Sequence, residues 1–181
     1  MKLLIASDIH GSAYYARLLL ERFHAESADR LVLLGDLLYH GPRNDLPKDY
    51  APKAVINLLN AEKNKILAVR GNCDTEVDQM VLEFPILAHY AVIDCGDRLI
   101  YASHGHVYHP SHLPPMNPHD IFLSGHTHVP LCTRNEDGVL CLNPGSVSIP
   151  KEGSAHGYML CEAGVFTWKD LDGNEQNRLA L

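Results

Sequence analysis

The chain has 181 residues, 46% of them hydrophobic, which suffices for a sizeable core. Its 15 Lys and Arg stand against 22 Asp and Glu, and the net charge of −7 excludes a broad basic footprint for extended nucleic acid or anionic membrane. No run approaches the ~20 apolar residues of a membrane span. In chain order, Lys2–Ser7 reads as a buried strand, Ala13–Ala25 as an amphipathic helix and Arg30–Leu34 as a second strand. Pro52–Glu62 reads as a helix opened by proline, and Lys65–Val69 as a third strand. This βαβαβ order implies a mostly parallel sheet carrying helices. Three hairpins follow: Pro85–Asp94 with Arg98–Ser103 around Gly96-Asp97, Leu131–Arg134 with Val139–Asn143 around residues 135–138, and Gly157–Glu162 with Val165–Leu171 around Ala163-Gly164. Ile121–Ser124 adds a short apolar strand, and residues 39–50 and 106–119 form long loops. Two packed sheets with outer helices follow from this order, in a single domain spanning 1–181.

Five cysteines (Cys73, Cys95, Cys132, Cys141 and Cys161) form no C-x-x-C pair. Their number and spacing, with no signal-peptide core at the N-terminus, lead us to expect a reduced, cytoplasmic protein. Twelve histidines are the compositional oddity, imidazole being the commonest metal ligand.

The chemistry gathers where strands stop. The first strand runs into Asp8-Ile9-His10-Gly11, the second into Gly35-Asp36, and the third into Gly71-Asn72-Cys73-Asp74. Leu99–Ser103 runs into His104-Gly105-His106, and Ile121–Ser124 into Gly125-His126-Thr127-His128. Ligand crevices in open α/β sheets lie beyond the carboxyl ends of strands. D-x-H and H-x-H place ligands at i and i+2, on one face if the backbone is extended, and the adjacent glycines admit positive φ or close approach. Seven ligands (Asp8, His10, Asp36, Asn72, His104, His126, His128) exceed one tetrahedral site and suit two adjacent metals. Imidazole, carboxylate and amide oxygen without a thiolate favour Mn, Fe, Ni or Zn. No P-loop, G-x-G-x-x-G, G-x-S-x-G or H-E-x-x-H motif occurs.

This ordered set resembles the calcineurin-like metallophosphoesterases, from residue 3 to about 150. His40-Gly41-Pro42-Arg43-Asn44, the Gly71–Asp74 turn and Asn143-Pro144-Gly145-Ser146-Val147 look like the small bacterial YfcE-type phosphodiesterases. The resemblance implies an α/β fold, a four-layer αββα sandwich of two mixed sheets flanked by helices. It implies that Asp8, His10, Asp36 and His128 hold one metal, and that Asp36 bridges to a second completed by Asn72, His104 and His126. The ions implied are two divalent cations, Mn2+ first, with Fe, Ni, Co and Zn as alternatives. The resemblance also implies that a water or hydroxide between them attacks phosphorus, in keeping with the lowering of water's pKa to about 7 by metal coordination.

The catalytic residues implied are Asn72, His104 and Cys73. Cys73 stands where many members carry a histidine that serves the leaving group, which points to small phosphodiesters; the plainer reading is a turn residue. Alternatives are a phosphomonoesterase of the same mechanism and a catalytically silent interaction module of the same fold. A homo-oligomer is left open. Arg43 and Asn44 are candidates for a phosphate oxygen, His106 for the substrate mouth, Asp74 for orienting Cys73 or a ligand, and His24 for a structural role at a helix C-terminus. His40, His109 and His119 have no assignment.

Overall fold

The computed structural model describes residues 1–181. The first half folds as expected, with β1 (Lys2–Ala6), α1 (Ala13–Ala25), β2 (Arg30–Leu33), α2 (Pro52–Ala61) and β3 (Ile66–Ala68). Ser12 caps α1 by accepting from the Tyr15 amide, and Ala13, Ala16, Leu19, Leu20 and Phe23 form its buried stripe. Pro52 opens α2, where its missing N–H costs nothing. A short α3 (Glu76–Gln79), closed by a reciprocal Thr75–Asp78 capping box, was not foreseen.

Strands make up the rest: β4 (Tyr90–Asp94), β5 (Leu99–Ser103), β6 (Ile121–Leu123), β7 (Leu131–Arg134), β8 (Leu140–Asn143), β9 (Gly157–Glu162), β10 (Val165–Asp170) and β11 (Glu175–Ala180). The three expected hairpins pair antiparallel as β4–β5, β7–β8 and β9–β10. Two sheets result, with strand orders β11-β10-β9-β1-β2-β3 and β4-β5-β6-β8-β7, each mixing parallel and antiparallel pairs. No helix is long and apolar enough to cross a membrane.

Alternation along β1 sends Leu3 and Ile5 between the sheets, where they meet Ile100, Ile121, Leu123 and Leu142. Leu4 and Ala6 point the other way, into the layer beneath α1 and α2. The far face of the five-stranded sheet is covered differently. Phe122, Val139 and Cys141 are roofed by Tyr108, Leu113 and Met116 from the segment 104–120, which holds no helix. Pro110, Pro114, Pro115 and Pro118 break any helical run there. The outermost layer on that side is therefore a loop, where the resemblance implied a helix.

Candidate metal centre

Parallel pairing of β1 with β2, of β2 with β3, and of β5 with β6 lines their carboxyl ends along one edge. Asp8 and His10 follow β1, Asp36 follows β2, Asn72 follows β3, His104 follows β5, and His126 and His128 follow β6. The extended backbone expected for the two i,i+2 pairs is not what joins them. Asp8, His10, Asp36, His126 and His128 all take left-handed φ, at 61°, 48°, 56°, 67° and 63°. Such values are uncommon outside glycine and persist only where neighbours enforce them. Here the Asp8 amide donates to Gly35 O at 3.1 Å and the His10 amide to Asp36 O at 2.9 Å. The Asp8 carbonyl accepts from the Ser146 and Ser148 hydroxyls at 3.0 and 2.9 Å. Two glycines permit close approach: a Cβ on Gly71 would sit 2.1 Å from Asp36 Oδ1, and one on Gly125 1.9 Å from Ser7 Oγ.

The side chains converge. His128 Nε2 lies 3.3 Å and His10 Nε2 3.6 Å from Asp8 Oδ1; His10 and His104 Nε2 lie 3.7 and 3.5 Å from Asp36 Oδ2. Three backbone carbonyls fix the tautomers. Nδ1 of His10, His104 and His128 sits 2.8, 2.7 and 2.6 Å from Tyr39 O, Leu34 O and Ile149 O. A carbonyl only accepts, so each Nδ1 carries a hydrogen, and each ring in its neutral form turns its Nε2 lone pair inward. The His10 and His128 Nε2 atoms then face each other at 3.3 Å. His104 Nε2 faces Asn72 Oδ1 at 3.0 Å and His126 Nδ1 at 3.1 Å, while Asp8 Oδ1 is buried with no hydrogen-bond partner. Acceptors pointed at acceptors in a buried place are what divalent cations would satisfy, and the donor set fits such ions.

Burial alone would raise the Asp8 carboxyl, yet the imidazoles of His10 and His128 hold it well below the usual carboxylate range. Burial, then the charge that His104 carries when protonated, lowers His126 and favours its neutral, ligating form. Cys73 is pushed the other way: burial raises its thiol, and the Asp36 carboxylate raises it further. Its Sγ nevertheless lies close to the donor atoms of His10 and Asp36, all within 4.8 Å of one another, where a thiol kept protonated is a neighbour of the set read from the sequence and not one of its ligands.

Several supporting residues have a defined part here. The buried Asp74 carboxylate accepts from the amides of Gly71, Asp36 and Leu37 at 2.7, 2.8 and 2.9 Å, tying the end of β2 to the turn after β3. Asn143 donates to Gly125 O and Thr127 Oγ1 and accepts from the Gly145 amide, bracing the turn that carries His126 and His128. His106 stands beside the cluster, its ring 5.3 Å from His104 and 6.3 Å from His126. Elsewhere His24 pairs with Glu62 at 3.2 Å, His156 stacks on Tyr15, and His109 and His112 bridge within the covering loop. A cavity of about 450 Å³ opens over Asp36, Asn72, Cys73, His126 and His128, and its wall includes Arg43, Asn44, Thr127 and Lys151. Thr127 and Lys151 were not foreseen; the only signal for Thr127 was its place between two histidines.

Residues 1–164 match the calcineurin-like phosphoesterase superfamily domain, and the chain belongs to that superfamily. Within it, phosphodiesterase YfcE of Escherichia coli (strain K12) is 46% identical over 180 residues, covering 99% of this chain and 96% of that protein. The solved structure of the E. coli phosphoesterase Yfce superposes with a TM-score of 0.95 at 44% identity, covering 99% of each chain. Vps29 of Chaetomium thermophilum, with a TM-score of 0.64 at 16% identity over 99% of this chain and 97% of its own, shares the fold alone.

Proposed function

We propose that this chain is a phosphodiesterase that hydrolyses small phosphodiesters at a two-metal centre within a single domain. Asp8, His10, Asp36 and His128 would hold one divalent ion, and Asp36, Asn72, His104 and His126 the other. The observation that carries the reading is the convergence of buried imidazole nitrogens and carboxylate oxygens from the ends of β1, β2, β5 and β6 at one edge of the molecule. Held by these residues, divalent ions would lower the pKa of a bound water and neutralise charge on the phosphate. Mn2+ is our first choice of metal, with Fe, Ni, Co and Zn suited to the same donors.

The chain's own residues do the positioning. The Nδ1–H groups of His10, His104 and His128 lock three rings to backbone carbonyls, so ligand orientation is set before any substrate arrives. Cys73 lines the cavity beside Asn72, and a thiol is a poorer proton donor to a leaving group than an imidazole, which supports diesters over monoesters of poor leaving groups. The 46% identity to a protein named as a phosphodiesterase supports the same choice. We read the compartment as cytoplasmic from the five free cysteines.

The test is metal analysis followed by parallel assays on bis(p-nitrophenyl) phosphate and p-nitrophenyl phosphate with Mn2+, Ni2+, Co2+, Zn2+ and Mg2+. Diester turnover that depends on added metal is the expected result, and Asp36→Asn should lower it by at least ~100-fold, as expected for loss of a shared ligand. No hydrolysis of either ester, or full activity in Asp36→Asn, would overturn the reading.

A further inference from the structure

The cavity holds two cations that the two-metal reading does not use. Arg43 and Lys151 both line it. Neither side chain makes an ion pair or hydrogen bond within the chain, whereas Arg17, Arg70, Lys2 and Lys169 all find carboxylates. Both are exposed, and what sets them apart from other unpaired surface cations is their place on the wall of the cavity over the candidate ligands, where an anion can reach both.

Their backbones are anchored through the site itself. Tyr39 O, which accepts from His10 Nδ1 at 2.8 Å, precedes the tight turn bearing Arg43. That turn is closed by Asn44, whose side chain donates to His40 O at 2.8 Å and whose amide donates to Gly41 O. Ile149 O accepts from His128 Nδ1 at 2.6 Å, and two residues on the Lys151 amide donates back to His128 O at 3.1 Å. The Ser154 hydroxyl and amide hold the Lys151 carbonyl from the other side. The hydrogen bonds that orient two candidate ligands therefore also deliver the two cations.

Charge balance gives them a task. Two divalent ions would bring +4, and Asp8, Asp36, the adjoining Asp74 and a bound hydroxide would bring −4, so the negative charge of a diester phosphate falls to the cations of the cavity wall. Arg43 and Lys151 add +2, of which a simple diester answers one and leaves the other without an anion. Only one of the cavity's eleven lining residues is hydrophobic, so polar side chains are the main partners it offers the substrate's remaining arm.

Resting on the proposed function, we infer that the substrate is a compact phosphodiester bearing a second anionic group, a carboxylate or a phosphate, which Arg43 and Lys151 bind. The pair act as specificity residues, and the test compares p-nitrophenyl phosphodiesters of 3-hydroxypropanoate, its near-isosteric amide 3-hydroxypropanamide, and 3-hydroxypropyl phosphate, using metal-loaded protein. The wild type should favour an anionic arm over the amide by about tenfold in kcat/KM, the scale of one charge-assisted contact. Whichever anionic ester wins identifies the group, and in Arg43→Gln/Lys151→Gln the preference should fall to near one.

Calorimetric binding of the corresponding phosphomonoesters reads the same ratio without turnover. A wild-type ratio near one in both readouts, or a preference that survives in the double variant, overturns the inference while leaving the phosphodiesterase reading intact. A binding preference lost in the double variant supports the inference even where no diester is cleaved, and that result counts only against the phosphodiesterase reading.

Discussion

Asp74 shows how much a single buried side chain carries. Its two oxygens accept from three backbone amides on two chain segments, Gly71 on one and Asp36 and Leu37 on the other. Burial pushes its carboxyl up, partly countered by those amides. In Asp74→Asn one oxygen becomes an NH2 group, so at least one amide must face a donor. Unfolding in urea should show a loss of about 1–3 kcal/mol in metal-free protein. Metal titration should show affinity weakened by about 10–100-fold, the usual effect of removing a group that orients ligands. The candidate ligands themselves were legible because each ends an apolar strand in a residue type with few other reasons to be there. The roles of Asp74 and Asn143 were not, because their partners are backbone groups that only the fold brings near. The backbone state was misread for a related reason: left-handed φ at five of the candidate ligands is imposed by tertiary hydrogen bonds, and an i,i+2 spacing carries no record of them.

Among the elements, α1 ends on a residue that its own dipole disfavours. A carboxylate at a helix C-terminus is repelled by the last carbonyls, yet Glu26 accepts from Tyr158 Oη at 3.0 Å, pairs with Lys169, and meets Lys2 Nζ at 3.4 Å. Burial would raise its carboxyl, but those hydrogen bonds and charges outweigh burial and hold it below the ordinary value. A carboxyl depressed on folding stabilises the protein above its unfolded pKa of about 4.3, and this stability is lost as pH falls through the lower folded value. Glu26→Gln should therefore cost about 1 kcal/mol at neutral pH, and the gap to wild type should close in urea titrations run progressively below about pH 4.

Periodicity located α1, α2 and most strands, since each buries a face. It failed for β11, a polar run that pairs with β10 at a sheet edge and buries almost nothing. It also began β4 too early, at Pro85. The Gln79 side chain donates to Leu82 O and Phe84 O and accepts from the Ile86 amide, so this segment is tied to α3 and makes no ladder.

For the whole molecule, the centre stitches together turns from both sheets, so ligand repulsion there opposes folding until a cation relieves it. Ions at a hundredfold excess over their dissociation constant should add about 2.7 kcal/mol. In a chain of this size that corresponds to a rise of about 5–10 °C in Tm, followed by circular dichroism and reversed by a chelator. An unchanged Tm would count against a cation-binding centre.

The missing outer helix has a further consequence, for the rates at which different parts of the protein open. β1 and β2 are sheltered on one side by helices and on the other by a second sheet. The outer face of β6 and β8 rests under a proline-rich covering with only three buried residues beneath it. Amide hydrogen exchange should accordingly split into two regimes. β1 and β2 would exchange only through global unfolding, and β6 and β8 through the cheaper lifting of residues 104–120. That covering starts at His104, so a cation gripping this imidazole would clamp one end of the roof. Metal should slow exchange in strands whose outer face never touches it, recording occupancy of one edge of the molecule in the breathing of another.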